Sequence, residues 1–132
     1  MIRTGDTAMR KLLAIAAAGE AATGLLLLIY PPIIVRLLFG TELFVSGTVM
    51  SRIAGISLIA LGVACWPSTV SLQALSGMLT YSVLAALYLA FIGIGGNWVG
   101  SLLWPAVLIH ILLSILLLRA WLKDGRPRKK EI

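Results

Sequence analysis

Charged residues and cysteine are scarce in this 132-residue chain. It has five acidic residues, one histidine and one cysteine; 12% of its residues are charged and 60% are hydrophobic. A soluble domain of this size needs more polar surface than such a composition supplies. A single cysteine, Cys65, excludes an intrachain disulfide and a multi-cysteine metal site. The sequence also has no nucleotide-binding loop, metal-ligand cluster or catalytic triad, so we expect no cofactor, no metal and no enzymatic activity.

Long apolar runs fill most of the chain instead. There are four of them, at residues 12–30, 49–66, 72–94 and 99–118. Because the hydrocarbon core of a bilayer is roughly 30 Å thick and a helix rises about 1.5 Å per residue, a run of about 20 apolar residues predicts a membrane span. The small residues Ala16, Ala17 and Ala18 also resemble a signal-peptide cleavage region, but the run continues past them to the length of a full span.

The sequence therefore predicts an all-α fold, a four-transmembrane-helix bundle. Residues 1–122 form this single membrane domain, and residues 123–132 form a basic tail. The connections at 67–71 and 95–98 are short, which predicts that the second and third spans, and the third and fourth, pack as antiparallel neighbours. Pro105 would kink the fourth helix if that helix begins at Val99.

Basic residues flank the spans unequally. Only Arg36 and Arg52 fall on the side of the first connection. Nine fall on the other side: Arg3, Arg10, Lys11, Arg119, Lys123, Arg126, Arg128, Lys129 and Lys130. This asymmetry predicts that both termini are cytoplasmic. It also explains the net charge of +6 by membrane topology, so we expect no nucleic-acid partner.

The long connection at residues 31–48 begins with two prolines. Proline ends the first helix, and Pro32 can open a short interfacial helix over residues 32–39 that stops at Gly40. This segment is an interfacial connector, or alternatively a gate in which Arg36 or Glu42 touches a ligand. Arg52 lies near the same surface, where it can extend to water or pair with Glu42.

Two ionisable side chains fall near the middle of the spans, Glu20 and His110. Both lie roughly 12–17 Å from the cytoplasmic ends of their helices. A carboxylate is costly in hydrocarbon, so we expect Glu20 to face the bundle interior and either stay protonated or find a partner. The similar depth predicts a hydrogen bond or ion pair between Glu20 and His110. The alternative is that each is a structural group, satisfied by neighbouring helices.

A polar stripe and several glycines complete the candidate positions. The stripe lies on the third span and lines a cavity or supplies interhelical hydrogen bonds; its members are Gln73, Gly77, Thr80, Tyr81 and Tyr88. Glycines permit close approach of membrane helices. On this ground we assign helix packing to Gly24, Gly55, Gly62 and Gly77.

Several residue strings resemble a known family. They are Gly19-Glu20 leading through Gly24 to Pro31, Arg52-Ile53-Ala54-Gly55 leading to Ala64-Cys65-Trp66-Pro67, Gly77-Met78-Leu79-Thr80-Tyr81, and Trp98-Val99-Gly100 leading to Trp104-Pro105. Together they resemble an uncharacterised group of small bacterial inner-membrane proteins that is distantly similar to the DoxX-like four-helix proteins. The resemblance implies a multi-pass protein of the bacterial inner membrane. It implies no activity and no catalytic residues.

Two functional classes follow from these residues. The first is a non-enzymatic module that binds a partner protein, a lipid or a hydrophobic small molecule within the bundle, oriented by Glu20, the polar stripe and His110. The second is a small proton-linked transporter that uses Glu20, since a carboxylate midway along the first of four helices also resembles the small multidrug-resistance exporters. A homo-oligomer is compatible with either class.

Overall fold

The computed structural model describes residues 4–67 and 71–124, and all regular secondary structure in this part of the chain is α-helical. The helices are α1 (Thr4–Ile29), α2 (Pro31–Phe39), α3 (Val45–Ala64), α4 (Leu72–Gly95) and α5 (Leu103–Asp124). All except α2 are long and apolar enough to cross a membrane. The all-α prediction with four spans is confirmed, and the architecture is that expected of a multi-pass membrane protein. The predicted basic tail lies outside the described residues from position 125 onward.

The short helix α2 follows α1 almost immediately. Pro31 and Pro32 occupy its first turn, where a missing backbone N–H removes no helical hydrogen bond. The helix ends at Gly40, whose φ of 65° is readily adopted by glycine and whose N–H donates to the Arg36 carbonyl oxygen at 2.9 Å. The predicted short helix is therefore present, and it begins one residue earlier than expected.

The last helix begins later than its apolar run. Residues 96–102 form a loop after α4, and α5 starts at Leu103. Pro105 consequently lies in the first turn of α5, where its missing N–H leaves no carbonyl without a donor. The predicted kink depended on a helix that begins at Val99, so the later start of α5 at Leu103 removes its cause.

The four long helices form two antiparallel pairs. α1 packs along α3, with Gly24 opposite Gly55, and α4 packs along α5. Across residues 4–67 and 71–124, α3 and α4 make at most marginal contact. The prediction that the second and third spans are packed neighbours is therefore wrong, whereas the pairing of the third and fourth is confirmed.

Glycine explains why α3 pairs with α1. A Cβ atom on Gly24 would lie 2.6 Å from the Gly55 carbonyl oxygen, and one on Gly62 would lie 2.6 Å from the Ala17 carbonyl oxygen. The two backbones are thus in direct contact, which only glycine permits. Gly77 has a different environment, since a Cβ there would meet only the Cys65 sulfur, at 4.0 Å. Of the four glycines assigned to packing, Gly77 alone lies at no tight interface.

The two helix pairs meet at the end of the bundle where α1 and α4 begin and α5 ends. Four fully buried side chains, which we call the inner core, join α1 to α4 and α5: Leu13, Leu75, Met78 and Leu117. Near the same end, the Arg10 guanidinium donates to the Pro67 carbonyl oxygen at 3.3 Å, and the Trp121 indole donates to the Ser76 hydroxyl at 3.1 Å.

At the opposite end, α2 joins the two pairs. The Gly100 N–H donates to the Leu38 carbonyl oxygen and the Leu102 N–H donates to the Leu37 carbonyl oxygen, each at 2.8 Å. Because a Cβ on Gly100 would collide with the backbone of Leu37 and Leu38, glycine is required at this crossing. The helix α2 is thereby fixed to the loop that precedes α5.

Candidate functional site

A cavity of about 750 Å³ lies between the two helix pairs. Its walls are mostly apolar, and each of the five helices contributes side chains to them. The polar side chains in the walls are Glu20, Thr23, Ser51, Tyr81, Tyr88 and His110. The volume lies within the usual range of small-molecule sites, which bury an apolar body against hydrophobic walls and orient it with a few polar groups.

Glu20 is the buried carboxyl group of this cavity. It is 7% exposed and lies on the face of α1 that also carries the buried residues Leu13 and Ala16. This face is turned toward α4 and α5, as expected from the cost of placing a carboxylate against lipid. The Tyr81 hydroxyl of α4 lies near the Glu20 carboxyl group.

His110 lies in the same cavity on α5. Its ring packs edge-on against the Tyr81 ring, with centroids 5.7 Å apart and an interplanar angle of 78°. Its Nδ1 atom is buried and has no hydrogen-bond partner within the described chain. The backbone is anchored separately, since the Ser114 hydroxyl donates to the His110 carbonyl oxygen at 2.7 Å. The imidazole thus retains hydrogen-bonding capacity that no protein group uses at Nδ1.

The predicted direct contact between Glu20 and His110 is wrong. Within residues 4–67 and 71–124, no hydrogen bond or ion pair joins the two side chains. They share a cavity, and Tyr81 contacts both of them. Glu20 and His110 therefore share one site, as their similar depth along α1 and α5 suggested. They do not meet directly, because Tyr81 of a third helix, α4, lies between them.

The polar stripe on α4 divides into two parts. Tyr81 and Tyr88 line the cavity, as expected if the stripe borders one. Gln73, Gly77 and Thr80 are exposed and do not line it. Only the half of the stripe nearer α2 contributes to the site.

The outer polar residues lie away from the cavity. Arg36, Glu42 and Arg52 are all exposed, and none of them lines it. In the described segments no ion pair joins Glu42 to Arg52. The helix α2 does reach the site, but through apolar side chains such as Ile34 and Leu38.

Sequence reasoning missed the contribution of α3 to the site. Ser51, Ala54 and Leu58 line the cavity. Their spacing of three and four residues places them on one helical face, a signal that was available but that resembles ordinary packing. Ser82 was also missed: it is fully buried on α4, its hydroxyl has no partner among the described residues, and it lies outside the cavity wall.

The site is suited to binding an amphipathic molecule. A carboxyl, a phenol and an imidazole provide both hydrogen-bond donors and acceptors at one place in an otherwise apolar chamber. Among residues 4–67 and 71–124, no three His, Cys, Asp or Glu side chains come together as metal ligands would. Comparisons with known proteins add nothing further, since no family model, no curated protein and no solved structure matches the chain.

Proposed function

We propose that this chain is a membrane protein that binds a lipid or another hydrophobic small molecule in the cavity between its helix pairs. The observation that carries the proposal is the convergence of Glu20, Tyr81 and His110 in one chamber of about 750 Å³. Burial of the apolar body supplies most of the binding free energy, and the three polar groups orient the polar end. The role is one of binding without catalysis.

A protein partner has less support. The face of α3 that carries Gly55 and Gly62, which would permit close approach of a partner helix, is already occupied by α1. Binding within the bundle therefore favours a small molecule over a second protein.

Native mass spectrometry of gently extracted protein tests the proposal. We expect the wild-type chain to carry a bound molecule of defined mass. Ala85 lines the cavity, so Ala85→Trp should fill part of it and abolish the adduct. The matched control is Leu84→Trp, because Leu84 is the adjacent residue, is 60% exposed and does not line the cavity. An absent adduct in the wild type, or an adduct that survives Ala85→Trp, would contradict the proposal.

Proton-linked transport is the second candidate function, supported by the location of a protonatable carboxyl group in a cavity midway along a span. Reconstituted protein would then move protons or substrate across vesicles, and Glu20→Gln would abolish this movement. Glu42→Gln is the control, since Glu42 is an exposed carboxyl group outside the cavity. Ligand retention without transport favours the binding function alone.

We further propose that the protein resides in the bacterial inner membrane with both termini in the cytoplasm, and that it is related to the DoxX-like proteins. Basic residues at the chain ends support this orientation. The start of α1 and the end of α5 lie on the same side of the bundle, which agrees with it. In intact cells, an impermeant thiol reagent should label Glu42→Cys and leave Lys123→Cys unlabelled; the reverse pattern would overturn the orientation.

A further inference from the structure

The inner core and α2 lie at the two ends of the cavity along the bundle axis. At one end lies the inner core, whose four side chains are fully buried. At the other end lies α2, which lines the cavity with apolar side chains and is held by the hydrogen bonds of Gly100 and Leu102. Along the bundle axis, a molecule arriving from water therefore meets the contacts of the inner core or those of α2.

The side of the cavity is different, because in the described chain α3 makes at most marginal contact with α4 and with α5. All three helices contribute to the cavity walls. Ala54 of α3 and Tyr88 of α4 line the cavity and are also exposed, Tyr88 by 65%. We call the side of the cavity between these two residues the lateral gap. Since both helices have the length of membrane spans, this gap faces hydrocarbon.

We propose that the ligand enters the cavity from within the bilayer, through the lateral gap, and not from water. This inference rests on the proposed binding function and defines the ligand class. The ligand is a membrane-dissolved amphiphile with a mainly apolar body and one hydrogen-bonding end. Its apolar body passes between α3 and α4, and its polar end reaches Glu20, Tyr81 and His110.

Spin labelling tests the entrance without requiring a known ligand. A nitroxide attached at Ala85→Cys lies in the cavity. Its collision rates are measured in phosphatidylcholine vesicles with two reagents: oxygen, which concentrates in hydrocarbon, and a nickel chelate, which stays in water. We expect oxygen collisions close to those of a label at lipid-facing Leu84→Cys. We expect nickel collisions several-fold below those of a label at Glu42→Cys. The wild-type chain, which carries only buried Cys65, controls for background labelling.

A second pair of variants tests the gap itself. Ala54→Trp should narrow the gap and lower the oxygen collisions at position 85 several-fold. Ala60→Trp is the matched control, because Ala60 is an exposed alanine of the same helix that does not line the cavity. This control should leave the oxygen collision rate at position 85 unchanged.

Three results would overturn the proposal. The first is a nickel collision rate at position 85 equal to that at position 42. The second is an oxygen collision rate at position 85 that Ala54→Trp does not change. The third is an Ala85→Cys thiol that cannot be labelled in detergent or bilayer while Leu84→Cys is labelled. Failure of the binding function would be a separate result. If mass spectrometry finds no bound molecule while oxygen reaches position 85, the binding function is contradicted. If a molecule is bound but the nickel chelate reaches position 85, only the lateral entrance is contradicted.

Discussion

Gly24 and Gly55 face each other across the contact between α1 and α3 with no room for a side chain on either. A Cβ atom on one would lie 2.6 Å from the carbonyl oxygen of the other. This contact fixes α3 to α1, and the adjoining face of α3, which carries Ser51, Ala54 and Leu58, borders the cavity. The geometry of the site therefore depends on a backbone contact one helical turn beyond Glu20.

Gly24→Ala should destabilise the protein. The added methyl group meets backbone atoms of α3, and overpacking of this kind costs about 1–3 kcal/mol. Gly19→Ala is the matched control in the same helix, because a Cβ there has nothing within 4 Å. Alanine also has a higher helix propensity than glycine by up to about 1 kcal/mol, so the control should be neutral or stabilising. Thermal unfolding in detergent compares the two, and equal midpoints would show that α1 and α3 are less tightly packed than described.

Gly100→Ala should detach α2 from the loop before α5. The new Cβ collides with the Leu37 and Leu38 backbone, so the Gly100 and Leu102 hydrogen bonds must lengthen or break. Hydrogen–deuterium exchange should then show faster exchange at the amides of residues 100 and 102. Gly95→Ala is the control, since a Cβ there meets nothing within 4 Å. Unchanged protection in Gly100→Ala would mean that these bonds do not hold α2 in place.

The fold was largely predictable from the sequence because span length and proline position are local properties. Apolar runs located the four long helices, and Pro31, Pro32 and Gly40 bounded α2 to within one residue. Helix pairing was not predictable from connection length. The short connection between α3 and α4 keeps their ends close but does not make them pack, whereas Gly55 and Gly62 of α3 bring its backbone against Gly24 and Ala17 of α1.

The site was predictable in depth but not in contacts. Counting residues along the helices placed Glu20 and His110 at a similar level, and both do line one cavity. The side of a helix that faces a given neighbour depends on the packing of all the helices, which local spacing does not determine. Tyr81 was identified only as a member of a polar stripe, and its contacts with both Glu20 and His110 emerged from the arrangement of α1, α4 and α5.

Tyr81→Phe should weaken ligand binding and leave the fold intact. The variant removes the hydroxyl beside Glu20 but keeps the ring that packs on His110. The variant cannot form a hydrogen bond between position 81 and the polar end of the ligand. Loss of one hydrogen bond costs about 0.5–1.5 kcal/mol, which corresponds to roughly two- to tenfold weaker binding. The retained fraction of the co-purified molecule, measured by native mass spectrometry over a detergent dilution series, reports the change. Tyr30→Phe is the control, as Tyr30 is exposed and outside the cavity; equal retention in the two variants would remove Tyr81 from the binding site.

Cys65 should react slowly with alkylating reagents, and its reaction should require unusually alkaline solution. It lies just beyond the end of α3, is 3% exposed and donates a weak hydrogen bond to the Ala74 carbonyl oxygen at 3.6 Å. Burial raises the pKa of the Cys65 thiol, so less of the reactive thiolate is present at any given pH below the raised pKa. The alkylation rate with iodoacetamide, measured between about pH 7 and pH 10, should therefore keep rising beyond the pH at which an ordinary thiol levels off. The comparison is Trp66→Cys in a Cys65→Ala background, since Trp66 is the adjacent residue and is 56% exposed. Equal rate profiles for the two thiols would show that the contact between the end of α3 and the start of α4 opens readily in solution.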